Sequence, residues 1–302
     1  MTLRATTGFR RCAAVLLAVL SAAAGAAQQH PSADVPYVPT PQVVVDEMLR
    51  MAKVGPADYV IDLGSGDGRI VITAAKKLGA RGLGVDIDGA LVSDARREAR
   101  RQGVAGLVEF HERNLFVTDI SRATVLTLYL FPSVIMQLRP RLFADLKPGT
   151  RVVSHEFGME NWLPDARATV PVPNKPYGPP SSEVYLWVVP ANAAGVWRWR
   201  LEGGATADYE LVLRQAFQML EGSPSAGGRA LRLVNGRIRG EAIAFTLVTT
   251  ADGRAVREEY SGRIEGDSIS GQVRFGNDER EWRATRVRRG NIEFDAAVPA
   301  AR

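Results

Sequence analysis

Residues Tyr59–Gly68 read YVIDLGSGDG, a short apolar stretch that runs directly into three glycines at alternate positions. The stretch up to Leu63 predicts a buried strand, and the glycines predict a sharp turn, because they permit backbone conformations that a Cβ obstructs. Apolar residues at helical spacing follow the turn: Ile70, Val71, Ala74, Ala75 and Leu78. The sequence therefore predicts a strand, a glycine turn and a helix in direct succession.

The same alternation continues to about residue 155. Apolar stretches predict further strands at Leu83–Ile87, Val108–His111, Thr124–Phe131 and Arg151–Ser154, with helical spacing at 91–99 and 134–142. Strands that alternate with helices form a parallel, doubly wound sheet that binds its ligand at the carboxyl ends of the strands. We therefore predict a Rossmann-like α/β domain.

The spacing of the glycines indicates the kind of ligand. A dinucleotide signature reads Gly-x-Gly-x-x-Gly, and its helix N-terminus faces a pyrophosphate. Here Arg69 stands where that signature has its third glycine, and Asp62 precedes the turn. A carboxylate at this place repels a pyrophosphate and suits a ligand with an ammonium group. Asp86 ends the second strand, where a carboxylate can accept hydrogen bonds from both ribose hydroxyls.

Asp62–Gly68, with Asp86 after it, resembles the cofactor signature of class I S-adenosylmethionine-dependent methyltransferases, and the likeness extends over about residues 37–190. A narrower resemblance is to the lysine methyltransferases that modify the membrane-embedded c subunit of ATP synthase. It rests on Pro36–Pro39, Asp62–Val71, Pro132–Val134, Arg151–Ser154 and Trp162. The resemblance implies a methyltransferase with S-adenosylmethionine as cofactor, acting on a protein lysine.

The resemblance also implies which residues bind the cofactor. They are Asp62, Gly64, Ser65, Gly66, Asp67, Gly68, Asp86, Ile87, Asn114 and Leu115. The glycine turn is expected to hold the methionine part and Asp86 the ribose, while Ile87 and Leu115 flank the adenine ring. Asn114 stands where the family usually has an acid that binds the adenine amino group; it loses the charge and keeps an acceptor oxygen.

Four residues are candidates for catalysis. Tyr37 and Tyr129 can shape a narrow channel, since aromatic rings favour a cationic group. His155 and Glu156 follow the fifth strand, where either can act as a general base. Tyr129 can equally be core filler, and His155 and Glu156 can be a polar pair that caps a loop. With three His and a single Cys, no metal is implied.

The residues leave the acceptor open among a lysine, a small amine, a hydroxyl and a carboxyl group. A non-catalytic binding module with the same fold is the alternative from another class. The net charge of +5 does not indicate a nucleic-acid partner, because outside the first 27 residues the basic side chains are scattered among acids. We expect a methyl-acceptor protein or a small molecule as partner; the resemblance adds a membrane-associated acceptor.

Residues 1–27 are typical of a secretory signal peptide. Three arginines and no acid accompany the apolar stretch Ala13–Leu20, and the small residues of Ser21–Ala27 offer a cleavage site. The protein is therefore expected to be periplasmic or secreted, with an uncleaved membrane anchor as the alternative. The pair Arg10-Arg11 also fits a twin-arginine signal.

A second domain follows the α/β domain, which we place at residues 28–190. From Val196 the helical spacing gives way to short apolar alternations at intervals near ten residues, with turn signals such as Asn235-Gly236 between them. Seven or eight short strands over residues 195–290 predict a small antiparallel barrel or sandwich. The Trp and Tyr residues of this part are expected to pack in its core and rim.

Overall fold

Two β-sheets follow one another along the chain in a computed structural model, which describes residues 37–176, 178–201, 207–251 and 254–294. The predicted signal peptide, residues 1–27, lies outside the described residues. No helix in the described ranges is both long enough and apolar enough to cross a bilayer.

The first sheet has the strand order β3-β2-β1-β4-β5-β7-β6. Its strands are β1 (Tyr59–Leu63), β2 (Arg81–Asp86), β3 (Val108–Glu112), β4 (Val125–Leu128), β5 (Arg151–His155), β6 (Ala166–Pro171) and β7 (Ser181–Val188). The first five are parallel, as predicted, and β7 runs antiparallel to both β5 and β6. The strand order reverses between β1 and β4, which opens a crevice at their carboxyl ends.

In the described part of the chain, four α-helices flank this sheet. They are α1 (Gln42–Met51), α2 (Arg69–Leu78), α3 (Gly89–Arg101) and α4 (Pro132–Asp145). Asp88 is the N-cap residue of helix α3, and its side chain accepts a hydrogen bond of 2.8 Å from the amide of Ala90. Helix α1 buries an apolar stripe that includes Met48 and Leu49 against the sheet.

The fourth strand ends earlier than the sequence predicts. The prediction ran to Phe131, whereas β4 ends at Leu128. Phe131 is the N-cap residue of α4, and Pro132 takes the first helical position, where its missing N–H costs nothing. Tyr129 and its two successors therefore form a loop at the carboxyl edge of the sheet.

The second sheet closes into an antiparallel barrel, which decides between the two architectures predicted for this part. Its eight strands are β8 (Gly195–Leu201), β9 (Ala207–Ala216), β10 (Met219–Ala226), β12 (Arg232–Arg239), β13 (Ala242–Ala251), β14 (Arg254–Glu265), β15 (Ser268–Phe275) and β16 (Asp278–Arg289). Strand β16 pairs with β8, and β9 pairs with β10, which completes the ring. Two short strands, β11 (Arg229–Ala230) and β17 (Ile292–Glu293), extend it.

Aromatic side chains fill the barrel interior. Trp199 stacks on Tyr209 with ring centroids 4.9 Å apart, and Phe245 stacks on Tyr260 at the same separation. Trp282 meets Tyr260 edge-on. All five rings are buried, so the prediction that the Trp and Tyr residues pack in the core is confirmed for these four.

The turn between β9 and β10 joins the barrel to the first sheet. Phe217 is buried there and lies parallel to the Trp162 ring at 6.0 Å. Its φ of 52° is unusual for a bulky residue, so the packing of the buried ring must stabilise a strained backbone conformation. Gln218 Nε2 donates a hydrogen bond of 2.6 Å to the carbonyl oxygen of Leu163. The barrel thereby holds the segment after β5.

Candidate active site

The glycine turn lies at the carboxyl end of β1. Gly64, Gly66 and Gly68 all have positive φ, at 80°, 52° and 77°. A Cβ on Gly66 would overlap the ring of Tyr37, and one on Gly64 would lie 2.8 Å from a methyl carbon of Leu130. Glycine is therefore required at both positions by the backbone conformation and by the close cover of neighbouring side chains.

Asp62 and Ser65 bring buried polar atoms to this turn. The Thr127 hydroxyl donates a hydrogen bond of 2.7 Å to Asp62 Oδ1. Burial raises the pKa of Asp62 to about 7, and the nearby Asp86 and Asp67 act in the same direction, while the Thr127 bond opposes the shift. Ser65 Oγ is buried and has no hydrogen-bond partner among the described residues.

Asp86 closes the turn from the end of β2. Its Oδ2 accepts a hydrogen bond of 2.8 Å from the Gly66 amide, and its Oδ1 accepts one of 3.0 Å from the Asp88 amide. A carboxylate has about four acceptor sites, so these two bonds leave capacity for hydroxyl donors. Ile87, the next residue, is half exposed.

Asn114 and Leu115 stand at the same edge, after β3. Asn114 Oδ1 accepts a hydrogen bond of 2.8 Å from the Phe116 amide, which starts a short 3₁₀ turn over Leu115–Val117. Leu115 packs partly buried against the core below β4. The topology thus brings the residues predicted to bind the adenosine part, from β2 and β3, to one side of the glycine turn.

The segment before α1 covers the glycine turn from above. Tyr37 lies over Gly66, and Arg69 forms an ion pair of 2.6 Å with Asp67. Arg69 Nη1 also donates a hydrogen bond of 2.9 Å to the carbonyl oxygen of Thr40. Burial, with the Asp67 charge second, raises the pKa of Tyr37 to about 12. The Tyr37 phenol therefore stays neutral at physiological pH.

Tyr129 and His155 meet beside this segment. Their ring centroids lie 4.0 Å apart, Tyr129 is partly exposed, and His155 is buried. Burial raises the pKa of the Tyr129 phenol, and the Glu156 charge adds to the effect. Burial lowers the pKa of His155 to about 4, so its imidazole is neutral at physiological pH.

Hydrogen bonds around His155 fix its tautomer. Thr40 Oγ1 lies 3.2 Å from Nδ1, Ser182 Oγ lies 3.0 Å from Nε2, and the Ser182 hydroxyl lies 3.1 Å from Glu156 Oε1. Because an ionised carboxylate only accepts, Ser182 donates to Glu156 and accepts from His155 Nε2–H. Nδ1 then accepts from Thr40. We assign the Nε2–H tautomer from this count of donors and acceptors.

Lys175 ends this chain of hydrogen bonds. Its ammonium pairs with Glu156 and also donates a hydrogen bond of 2.7 Å to the Ser181 carbonyl oxygen. Although burial opposes the shift, bonds from Lys175, the Glu183 amide and Ser182 hold the pKa of Glu156 below its ordinary value. Glu156 has a φ of 67°, an uncommon conformation for a residue other than glycine.

The structure thus places each predicted site residue at the carboxyl edge of the first sheet, and their individual roles stay predictions. The four catalytic candidates fall into two groups: Tyr37 over the glycine turn, and Tyr129 with His155 and Glu156 beside β5.

Four further residues of this edge were not identified from the sequence: Thr40, Thr127, Lys175 and Ser182. Thr127 interrupts an apolar strand, which is a usable signal, since a buried hydroxyl needs a partner. The bond from Thr40 to His155 spans 115 positions and leaves no local pattern.

The residues present fit S-adenosylmethionine. The Ser65 hydroxyl, which has no partner in the described ranges, the buried Asp62 carboxyl and a turn that a Cβ would fill can hold an amino acid moiety with its ammonium group. Asp86 can accept hydrogen bonds from a ribose. No group of three His, Cys, Asp or Glu in the described part of the chain could hold a metal ion. This fold and this edge define a class I S-adenosylmethionine-dependent methyltransferase.

Comparison with known proteins agrees with this class. Residues 62–166 match the family described as the ANTKMT methyltransferase domain. A protein-lysine N-methyltransferase of Saccharolobus islandicus is 45% identical over 156 residues, which are 51% of this chain and 94% of that protein. The chain belongs to the same family of methyltransferases, and its cofactor is S-adenosylmethionine.

Two further relatives are similar to this chain: one aligns over a smaller share of its own length, and the other is named for a different methyl acceptor. The lysine N-methyltransferase of Xenopus laevis that is named for the ATP synthase c subunit is 35% identical over 130 residues, 43% of this chain and 57% of that protein. The chain thus spans little more than half of that relative's length. A solved RNA methyltransferase of Salinibacter ruber, in complex with S-adenosyl-L-homocysteine, is 54% identical, with a TM-score of 0.46 over 50% of this chain and 93% of that one.

Proposed function

We propose that this methyltransferase modifies the side-chain amine of a lysine in a protein acceptor. The observation that carries the proposal is the 45% identity to a protein-lysine N-methyltransferase over nearly the whole length of that enzyme. The neutral aromatic side chains at the carboxyl edge are compatible with a lysine side chain, whose apolar stem ends in a group that is attracted to ring faces.

The cofactor, when bound, supplies a methyl group carried on a sulfonium. The residues that would hold it are Asp62, Ser65, Gly66, Asp86 and Asn114, together with the apolar side chains that follow β2 and β3. These residues would fix the cofactor at the ends of β1 and β2 and so would restrict the orientation of its reacting methyl group.

The residues that line the acceptor side of the site mainly position the lysine amine. A lysine amine attacks only in its neutral form, so its ammonium proton must leave before or during the transfer. Tyr37 and Tyr129 stay neutral because their phenol pKa values are raised. His155 has both ring nitrogens engaged by Thr40 and Ser182. These groups form a wall for the acceptor, and we propose that the proton leaves to water at the mouth of the site.

We also propose that the acceptor is a membrane-associated protein. The resemblance to enzymes that modify the membrane-embedded c subunit supports this, as does the substrate in the name of the Xenopus relative. At the carboxyl edge, two large apolar side chains are about half exposed: Ile87 at 49% and Phe131 at 47%. An apolar rim of this kind suits an apolar partner surface.

Export of the protein is a further proposal, supported by the sequence of residues 1–27. Cell fractionation followed by N-terminal sequencing tests it. Export predicts a mature chain that begins just after Ala26 or Ala27 and is found outside the cytosol. A cytosolic chain that retains Met1 would contradict export, and a membrane-bound one would indicate the anchor.

Transfer of a labelled methyl group tests the proposed activity. The full chain is incubated with S-adenosylmethionine labelled in its methyl group, with a membrane-protein extract as acceptor and total RNA as a parallel acceptor. Label in ε-N-methyl-lysine after acid hydrolysis is the expected result. Label in RNA alone, or formation of the demethylated product without any labelled acceptor, would contradict the proposal.

Two variants connect that activity to the site. Asp86→Ala removes the carboxylate expected to bind the ribose, and charge-assisted bonds of this kind contribute about 1.5–3 kcal/mol each. Asp94→Asn, on the exposed side of α3, is the matched control because it also removes one acid. We expect Asp86→Ala to weaken S-adenosylhomocysteine binding at least about tenfold in a calorimetric titration, and Asp94→Asn to leave it unchanged.

A further inference from the structure

A cleft of about 550 Å³ lies at the opposite edge of the first sheet from the glycine turn. Its wall on the α/β side is formed by residues that precede or begin strands, among them Asp58 before β1, Thr124 before β4 and Arg151 at the start of β5. The second wall belongs to the barrel, with the turn Arg239–Ala242 between β12 and β13 and with Arg263 of β14. Clefts between structural units are frequent ligand sites.

Close backbone contact fixes the two walls relative to each other. A Cβ on Gly240 would lie 3.1 Å from Gly149 Cα. The Ala191 amide donates a hydrogen bond of 2.7 Å to the Gly240 carbonyl oxygen, and the Gly149 amide donates one of 2.8 Å to the Val189 carbonyl oxygen. The barrel turn is thus held against the segment before β5, and the cleft is part of the fold.

The charge of the cleft is strongly positive. Five cationic side chains line it, against the carboxylates of Asp58 and Glu241. Each carboxylate is already paired, Asp58 with Arg151 and Glu241 with Arg263. The other three cations, Arg122, Lys147 and Arg239, form no ion pair among the described residues. Two protein walls around unpaired like charges raise the local potential for an anion.

These three cations come from both walls. Arg122 and Lys147 belong to the α/β part, and Arg239 belongs to the barrel. Arg122 is oriented by Tyr59, because its guanidinium lies over that ring at 4.6 Å from the centroid. Three cations supplied by two walls of a wide cleft favour a ligand that carries more than one anionic group. Guanidinium groups match the oxygens of phosphate in a bidentate fashion.

We propose that this cleft binds a chain of two or more linked phosphate groups. The ligand bridges the α/β part and the barrel at the edge away from the methyl-transfer site. Two sources share this chemistry: a nucleoside polyphosphate and inorganic polyphosphate. Phosphate binding in this cleft does not depend on the lysine methyltransferase activity, so either proposal can be wrong while the other holds.

Calorimetric titration of the full chain tests the site with three probes: inorganic tripolyphosphate, ATP without divalent cations, and citrate. We expect saturable binding of tripolyphosphate that weakens as the salt concentration rises. ATP binding as tight as that of tripolyphosphate, or tighter, indicates the nucleotide as the source, and weaker ATP binding indicates inorganic polyphosphate. No heat with either phosphate compound would overturn the proposal, and equal affinity for citrate would overturn its phosphate class.

A pair of double variants locates the binding. Lys147→Ala with Arg239→Ala removes one cation from each wall, and Arg232→Ala with Arg283→Ala removes two exposed arginines from the barrel outside the cleft. The first pair is expected to weaken tripolyphosphate binding at least about tenfold, and the second less than about twofold. Equal losses in the two proteins would place the binding outside the cleft. Unchanged S-adenosylhomocysteine affinity in the first pair shows that it has folded.

Discussion

The buried side chains of the two sheets serve different purposes. At the carboxyl edge of the first sheet, Asp62 and His155 are buried with shifted pKa values, and Ser65 has no partner among the described residues. The barrel interior holds stacked aromatic rings, and its buried Gln215 binds three backbone groups around the linker between the sheets. One region keeps polar groups available for a ligand, and the other uses its side chains for packing. A core substitution in the barrel should therefore change stability alone, except where the barrel contacts the first sheet.

The largest effect is expected at that contact. Phe217→Ala removes a buried ring that packs on Trp162, in the core of the first sheet. Phe→Ala changes in a core cost about 3–5 kcal/mol of the free energy of unfolding. The cavity lies under the segment that follows β5, so we also expect a lower kcat in the protein that remains folded. Urea unfolding and steady-state kinetics measure the two effects.

Phe245→Ala is the matched control inside the barrel. Phe245 is equally buried and touches only other barrel aromatic residues among its ring neighbours in the described ranges. A similar loss of stability is expected, with kcat and S-adenosylhomocysteine affinity unchanged for the folded fraction. If both variants lowered kcat equally, the separation of the two regions would be wrong.

The next largest effect is expected at one of two glycines that both have positive φ. Gly66→Ala places a Cβ in the ring of Tyr37, whereas a Cβ on Gly276, in the turn between β15 and β16, meets nothing within 4 Å. We expect Gly66→Ala to weaken S-adenosylhomocysteine binding about 100-fold, which corresponds to ~2.7 kcal/mol. Gly276→Ala bears only the backbone strain, about 1 kcal/mol of stability. Calorimetry and thermal unfolding of both variants test this; equal affinities would contradict it.

How far the sequence predicts this molecule also differs between its two parts. The glycine turn and the five parallel strands follow from local patterns, because turn chemistry and hydrophobic period act over a few residues. Strands β6 and β7 were not predicted. They return antiparallel at the edge of the sheet, and a polar pair, Ser181-Ser182, opens β7.

Closure of the barrel and the site around His155 depend on long-range contacts. Short alternating strands predict an antiparallel architecture, but only the pairing of β9 with β10 and of β16 with β8 decides for a barrel. Thr40 and Ser182 meet His155 through the tertiary fold, with no spacing in the sequence that relates them. Asp62 was predicted from its place before the turn, whereas its raised pKa results from burial that only the fold reveals.

That pKa predicts how stability depends on pH. Unfolded, Asp62 loses its proton near pH 4, and folded it does so near pH 7. Between these values the unfolded state binds fewer protons, so the free energy of unfolding falls as pH rises and levels off above 7. Asp62→Asn lacks this titration. The stability of the variant minus that of the natural protein should therefore increase from pH 4 to 7, by at most about 1.4 kcal/mol per unit.

Saturating S-adenosylhomocysteine sharpens this measurement. Its ammonium group favours the ionised carboxylate, so the pH dependence contributed by Asp62 should shrink when the ligand is bound. Urea unfolding at four pH values, with and without ligand, compares the two proteins. A difference between them that is independent of pH would contradict the raised pKa, and one that the ligand leaves unchanged would place the ammonium elsewhere.

The smallest expected effect concerns the chain of hydrogen bonds around His155. Thr40→Val keeps the shape of the side chain and removes the hydroxyl that donates to Nδ1, while Thr40→Ser keeps the hydroxyl. Loss of one buried hydrogen bond costs about 1 kcal/mol. The segment that carries Tyr37 is anchored at Thr40, so we expect a few-fold lower kcat in Thr40→Val and recovery in Thr40→Ser.

Nitrogen NMR of His155 separates positioning by Thr40 from general destabilisation. The Nε2–H tautomer should persist in the natural protein and in Thr40→Ser, because Ser182 still accepts from Nε2. In Thr40→Val the Nδ1 lone pair has lost its donor, and its resonance should move toward that of a free imidazole nitrogen. An unchanged Nδ1 resonance in Thr40→Val would show that Thr40 does not hold the ring.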